Sequence, residues 1–301
     1  MKDYTVTVKN VTFLVRDVNN WFFPWIGKSV FRECLPVLFK TSKKILVYSV
    51  CNSQKINWSK YTEFDYIICF SGENIKRYGF KSPDNILQIS NNRYLISMDR
   101  CSDSRRCIYI PLAAVEPVFG SLLPKYFSTG QAKGLAKIKK TKFCCFINSN
   151  PVPFREEFVK KLSTYKRIDC TGKRLLNIDR PWPRGYQETL NRVSQYKFII
   201  SFENSSNSGY FTEKPWYGFL ANTIPIYWGD PDVYMDHVQH SFLNRVDFHT
   251  DSQFIDKIVS LDHDDDLYNE MLITDKVKNV NSYDVNRLKM FLNNIINEYN
   301  I

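Results

Sequence analysis

The chain is poor in several features from which function is commonly read. It has four histidines in 301 residues, at 237, 240, 249 and 263, so the N-terminal half has only carboxylates to act as a base near neutral pH. Its eight cysteines (34, 51, 69, 101, 107, 144, 145, 170) contain no CxxC pair, the spacing on which zinc and dithiol motifs are built. Cys144 and Cys145 lie inside the apolar run from Lys142 to Ile147, as buried free thiols do, and a reducing compartment is expected. Long hydrophobic runs are missing: Trp21 to Ile26 is the longest apolar patch near the N-terminus, too short for a signal or membrane-spanning segment. The expectation is a cytoplasmic protein without a transmembrane segment, with peripheral membrane contact left open. No internal repeat and no low-complexity tract is visible, which excludes solenoids and disordered arrays.

What is present describes a globular α/β protein. Hydrophobic residues make up 44% and charged residues 24%, and the length suits two domains of about 150 residues, each with its own core. The net charge of +10 favours an anionic partner: a nucleotide diphosphate, an acidic membrane surface or nucleic acid, among which charge alone does not choose. Tyr4 to Val15 reads as one strand or a hairpin, Val30 to Phe39 as a helix interrupted by Pro36, and Ile45 to Val50 and Asp65 to Phe70 as buried strands. Three more apolar runs, Asn85 to Ile89, Tyr94 to Met98 and Cys107 to Leu112, are read as further short strands. Gly130 to Lys142 is basic, glycine-containing and free of aromatics; it reads as a solvated linker rather than a nucleic-acid site, since bases need aromatic platforms. The expected domains are therefore 1–140 and 141–301, with the terminal helix free to pack back on the first domain. In the second, Phe143 to Asn148 is a strand, Pro153 to Tyr165 an amphipathic helix, and Val285 to Ile301 a helix whose Leu288, Phe291, Leu292, Ile295 and Ile296 share one face.

The informative stretch is Tyr196 to Val233. Phe198 to Phe202 is a buried strand; a polar loop of Glu203, Asn204 and Ser, Asn and Gly residues follows. Thr212 stands where a helix cap would, with Glu213, Lys214 and Pro215 in the first turn, and Asn222 can end that helix in the left-handed conformation. A second strand, Ile224 to Trp228, runs into the turn Gly229-Asp230-Pro231-Asp232. Such a strand-helix-strand unit binds ligands beyond the carboxyl ends of its strands, and the helix start with Lys214 suits a phosphate. Two acidic clusters, Asp230-Pro231-Asp232 and Asp262 to Asp266, have oxygen ligands enough for a cation, but read as a proline turn and as a solvated loop or helix start.

This stretch closely resembles the signature of the α-1,3/4-fucosyltransferases, family 10 of the glycosyltransferases. The likeness is carried by Phe202-Glu203-Asn204, Tyr210, Thr212-Glu213-Lys214, Ile224 to Gly229, and Pro231. Pro215-Trp216 departs from the family's aliphatic-aromatic pair, and Asp230 stands where a small residue is commoner. The likeness is patchy from about Asp65 to Leu112, and is absent in the first 40 residues or so and after about Asp251.

The resemblance implies the GT-B arrangement, two Rossmann-like domains facing a cleft, and inverting transfer of L-fucose from GDP-fucose to a hydroxyl of an acceptor glycan or glycolipid. GDP-fucose would be the donor substrate, with no metal, no other cofactor and no nucleic-acid partner. The run FINSNPVPFR resembles the family's Ser-Asn-Pro segment, one residue short, whose arginine binds the donor diphosphate; this implies the same role for Arg155, beside Lys214. Asn204, Tyr210 and Glu213 would line the nucleotide-sugar site. Ser71-Gly72-Glu73-Asn74 resembles the turn that carries the base in bacterial members, which implies Glu73 as base, with Glu116, Asp99 and Asp103 as the other candidates. About ten extra residues precede the next matching strand. Two alternatives stay open: a transferase for another nucleotide sugar, or an inactive nucleotide-sugar binding module.

Overall fold

The structure is a computed structural model that describes residues 3–16, 31–50, 56–72, 74–116, 118–129, 140–148, 150–172, 175–182 and 185–297. It contains two compact units: Met1–Leu123 with Asn207–Tyr210 and Asn281–Ile301, and Pro124–Ser206 with Phe211–Val280. The expected linker lies outside the described residues from 130 to 139.

The first unit is built on six strands in sequential order: β1 (Asp3–Val8), β2 (Val11–Arg16), β3 (Ile45–Ser49), β4 (Tyr66–Ser71), β5 (Arg93–Ser97) and β6 (Cys107–Tyr109). β1 and β2 form an antiparallel hairpin turned at Lys9, whose φ is 55°, and every later pair is parallel. β3, β4 and β5 are buried along their whole length, which is why they read as unbroken apolar runs. The run from Val30 gives a short helix α1 (Phe31–Cys34), converted at Pro36 into a 3₁₀ turn, Leu35–Lys40. Asn85 to Ile89 is not a strand. It falls in helix α2 (Pro83–Leu87), because Pro83 suits a first helical turn and Ser82 and Asn85 form a reciprocal capping box that outweighs the apolar pattern. Leu112 likewise begins a helix, α3 (Leu112–Val115), followed by α4 (Phe119–Ser128). The terminal helix, Asn286–Asn297, buries Leu288, Phe291, Leu292, Ile295 and Ile296 and packs on α1 and the 3₁₀ turn of the first unit.

The second unit is an all-parallel sheet in the order β11-β10-β9-β7-β8. Its strands are β7 (Lys142–Phe146), β8 (Ile168–Cys170), β9 (Tyr196–Phe202), β10 (Ile224–Trp228) and β11 (Leu243–Asn244). Its helices are α5 (Pro153–Leu162), α6 (Tyr186–Val193), α7 (Lys214–Leu220), α8 (Asp251–His263) and α9 (Asp265–Ile273). Alternate residues of the central strands bury into opposite cores: Cys144, Phe198 and Ile200 join Phe158, Phe254 and Tyr268, whereas Cys145 and Ile199 join Val193 and Ala221. Layers of helix on both faces leave the carboxyl edge of the sheet as the place where polar groups gather. The chain runs from β7 outward to β8 and then returns to β9 on the other side, so the carboxyl ends of β7 and β9 form a switch point.

Lys140 corrects the picture of a solvated basic stretch. Its ammonium donates to Ser194 O (2.9 Å) and Thr223 Oγ1 (3.2 Å), at the ends of α6 and α7. Burial pushes it down to about 8.

Candidate active site

Glu203, the residue beyond β9, has no exposed surface. Its amide donates to Trp228 O at 2.8 Å, continuing the ladder to β10. A buried carboxylate needs donors, and the chain supplies them locally. Thr212 donates its amide (2.8 Å) and hydroxyl (2.8 Å) to Glu203 Oε1, and Lys214 Nζ donates to Oε2 at 2.7 Å. Thr212 is therefore not the helix cap; its hydroxyl serves Glu203, and α7 starts after Glu213 without a side-chain cap. Burial drives the Glu203 carboxyl above its ordinary value, against the pull of Lys214. Burial likewise pulls the Lys214 ammonium down, but the charges of Glu203 and Glu213 outweigh it and hold it above the usual lysine value.

The turn after β10 is shaped around the same carboxylate. A Cβ on Gly229 would stand 2.4 Å from Glu203 Cγ and 2.7 Å from the Tyr227 hydroxyl, so any side chain at this position must displace one of them. Asp230 is buried, and its Oδ1 accepts the Asp232 amide at 2.8 Å; the Asp-Pro-Asp segment is thus tied into its own turn. Asp262 is no solvated loop residue. Burial alone would raise its carboxyl, yet hydrogen bonds from Lys166 and Tyr165 and the charge of Lys197 hold it below the ordinary range. Asp264 caps α9 through the Leu267 amide. Among the described residues, no group of three or more His, Cys, Asp or Glu side chains is placed to hold a metal ion.

Arg155, on the first turn of α5, is 2% exposed. Its Nη1 donates to Phe202 O at 3.2 Å and its Nη2 to Asn150 O at 2.8 Å, clasping the end of β9 to the loop after β7. The guanidinium also lies 5.9 Å from the centre of the Phe146 ring. Arg155 holds Phe202 O and Lys214 holds the carboxylate of the next residue, Glu203, so both cations stand at the carboxyl end of β9, on the switch-point edge. An anion placed there would be attracted by both.

Of the other expected site residues, Asn204 is half-buried beside Glu203, and Glu213 sits 3.7 Å from Lys214 Nζ, both in the second unit. Tyr210 is buried in the segment Asn207–Tyr210, which belongs to the first unit. That segment is anchored by Asn207 Nδ2 to Asp99, by the Arg100 amide to Ser208 O (2.8 Å) and by the Tyr109 hydroxyl to Gly209 O (3.2 Å). Glu73 lies outside the described residues. The other base candidates hold structure: Asp99 accepts the Ile75 amide, Glu116 accepts the Val118 and Phe119 amides at the start of α4, and Asp103 pairs with Arg287. Arg106, close to Asp103 in sequence, donates instead to the carbonyls of Leu87, Ser90 and Asn91. Glu203 and Gly229 belong to the signature stretch, which by itself assigns a role to neither. The sign that could have found Glu203 is an acid directly ending an apolar strand, with a lysine eleven residues on.

Two Rossmann-like α/β units, one with cations gathered at the switch point of its parallel sheet, are the GT-B class of glycosyltransferase fold. The chain belongs to glycosyltransferase family 10 (fucosyltransferase), whose C-terminal profile matches residues 137–292. The match runs well past Asp251, where the likeness visible in the sequence ended. An α-(1,3)-fucosyltransferase FucT of Helicobacter pylori is 34% identical over 134 residues, 44% of this chain and 27% of that protein. A GDP-fucose protein O-fucosyltransferase 3 of Canis lupus familiaris is 31% identical over 127 residues, 40% of this chain and 26% of that one. The chain spans less than half the length of these curated relatives. A solved α1,3-fucosyltransferase with GDP-fucose covers 94% of this chain and 90% of its own, with a TM-score of 0.69 and 22% identity, a likeness of fold.

Proposed function

We propose that the protein is an inverting fucosyltransferase that moves L-fucose from GDP-fucose to a hydroxyl of an acceptor glycan, in α-1,3 or α-1,4 linkage. The observation that carries this reading is the pair of cations at the carboxyl end of β9, Arg155 bonded to Phe202 O and Lys214 to the carboxylate of the next residue, Glu203. In a one-step displacement the acceptor oxygen bonds to the anomeric carbon as the bond to the β-phosphate breaks. The electron pair leaves with GDP. Arg155 and Lys214 stabilise the charge that grows on the diphosphate, and Glu203 keeps the ammonium aimed. Glu73 is the proposed acceptor of the hydroxyl proton, and Asn204, Tyr210 and Glu213 the proposed partners of the nucleotide sugar. A reducing, cytoplasmic location is part of the proposal.

The relative named as a protein O-fucosyltransferase supports a second reading of the acceptor, a protein hydroxyl in place of a sugar hydroxyl. Both readings are tested by following GDP release from GDP-fucose with N-acetyllactosamine, lactose and folded protein acceptors, with GDP-mannose as the donor control. Acceptor-dependent GDP release and a fucosylated product in mass spectrometry support the proposal. Faster release from GDP-mannose supports another donor, and binding without product supports an inactive binding module.

A further inference from the structure

At the amino ends of the strands, the end of the second sheet opposite Glu203, lies a cavity of about 410 Å³. Lys142 at the start of β7, Tyr196 at the start of β9 and Asp169 in β8 form its floor, and Trp182 one wall. A smaller cavity of about 220 Å³ adjoins it and shares Lys142, Trp182, Arg192 and Tyr196. The larger cavity brings four cations, Lys142, Arg167, Arg180 and Arg192, against two carboxylates, Asp169 and Asp179.

The internal pairing leaves positive charge unspent. Asp169 is shared by three donors, the Tyr196 hydroxyl (2.7 Å), Arg167 Nε (3.1 Å) and Lys142 Nζ (3.6 Å). Arg192 is held by Glu188 at 2.8 Å. Arg180 is exposed and, among the described residues, has no ion-pair partner. A guanidinium with its fork open suits a phosphate, which it can grip with two parallel hydrogen bonds. Trp182, flanked by Arg192 at 5.9 Å and by the Tyr196 ring at 6.0 Å, offers a held aromatic face for the ring or apolar body that carries the phosphate. The volume is in the range of small-molecule sites.

We propose that this cavity is a second anion site, which binds a phosphate ester carried on a ring, its phosphate at Arg180 and Lys142 and its organic face on Trp182. Two sources share that chemistry, a free sugar phosphate and the headgroup of a phosphoinositide-type lipid. The inference is independent of the donor edge.

The test titrates glucose 1-phosphate by calorimetry and, separately, measures co-sedimentation with phosphatidylcholine vesicles with and without phosphatidylinositol. Arg180→Glu, Lys142→Gln and Lys214→Ala are compared with the unaltered chain, each shown folded by its unfolding transition. Glucose 1-phosphate is expected to bind the unaltered chain and Lys214→Ala alike. Arg180→Glu should weaken it by about tenfold or more, the worth of one charge-assisted hydrogen bond. The same Arg180 dependence seen only on phosphatidylinositol vesicles assigns the site to a headgroup. Binding to neither probe, or binding that Arg180→Glu and Lys142→Gln leave unchanged, overturns the proposal.

Discussion

Lys214 Nζ stands 2.7 Å from Glu203 Oε2, and the Thr212 hydroxyl bridges the two at 2.9 Å from the ammonium and 2.8 Å from the carboxylate. The cation of the switch-point edge is thus aimed by a carboxylate with no exposed surface, eleven residues earlier in the chain. A lysine on a flexible stem has three donors and four side-chain torsions to lose; Glu203 and Thr212 take two of the donors, and the Glu213 carboxylate stands 3.7 Å from the ammonium.

Removing the ammonium should therefore act first on folding. Lys214→Met leaves Glu203 buried without its cation, and a loss of about 3 kcal/mol is expected in urea unfolding. The pH dependence has a definite sign. Glu203 is raised in the folded chain, so its burial costs nothing below the unfolded carboxylate pKa and more as pH rises through the folded one. The variant should approach the unaltered chain in acid and fall away toward neutral pH. Adding Glu203→Gln to Lys214→Met should restore much of the loss at pH 7; failure to do so would show that the pair is not the reason.

Gly229→Ala forces a methyl against Glu203 Cγ and the Tyr227 hydroxyl. A destabilisation of about 1–3 kcal/mol is expected from overpacking. Because Glu203 is the group displaced, GDP affinity should fall as well. Unaltered stability and affinity would mean that the turn yields without disturbing the carboxylate.

In the proposed reaction the two cations supply the charge stabilisation that a divalent ion gives in other transferases. Turnover should survive excess EDTA, and Asp232→Asn should leave any metal stimulation as it is. Complete loss of activity restored by manganese would contradict this.

Glu73→Gln should keep the fold and GDP binding while lowering kcat by a factor of about 10² to 10⁴, the usual worth of a general base. Near-normal turnover at saturating acceptor would move the role elsewhere. Glu116 and Asp99, which accept backbone amides, should instead show their loss in stability.

The elements around the signature were legible because their strands are buried on both faces. Ile224–Trp228 and the start of Ile45–Ser49 fall where the apolar runs place them, and Asn222 ends α7 with a φ of 53°. Asn85 to Ile89 misled because a short apolar run has no period, and only the Ser82-Pro83 start marks it as helix. The site was legible as a set of charges but not as a network. Thr212 has the spacing of a cap, and only the fold shows that a buried carboxylate competes for its hydroxyl more strongly than the free amides of a seven-residue helix. Lys140 could not be told from its solvated neighbours, since its partners Ser194 and Thr223 are more than fifty residues away in sequence.

The central claim is that Arg155 and Lys214 hold a donor diphosphate, and calorimetry with GDP tests it most directly. On variants first shown to be folded, Lys214→Ala should weaken GDP binding by about 1.5–3 kcal/mol, and Arg155→Ala by a similar amount, as expected for the loss of a charge-assisted hydrogen bond. GDP affinity unchanged in both single variants would contradict the account.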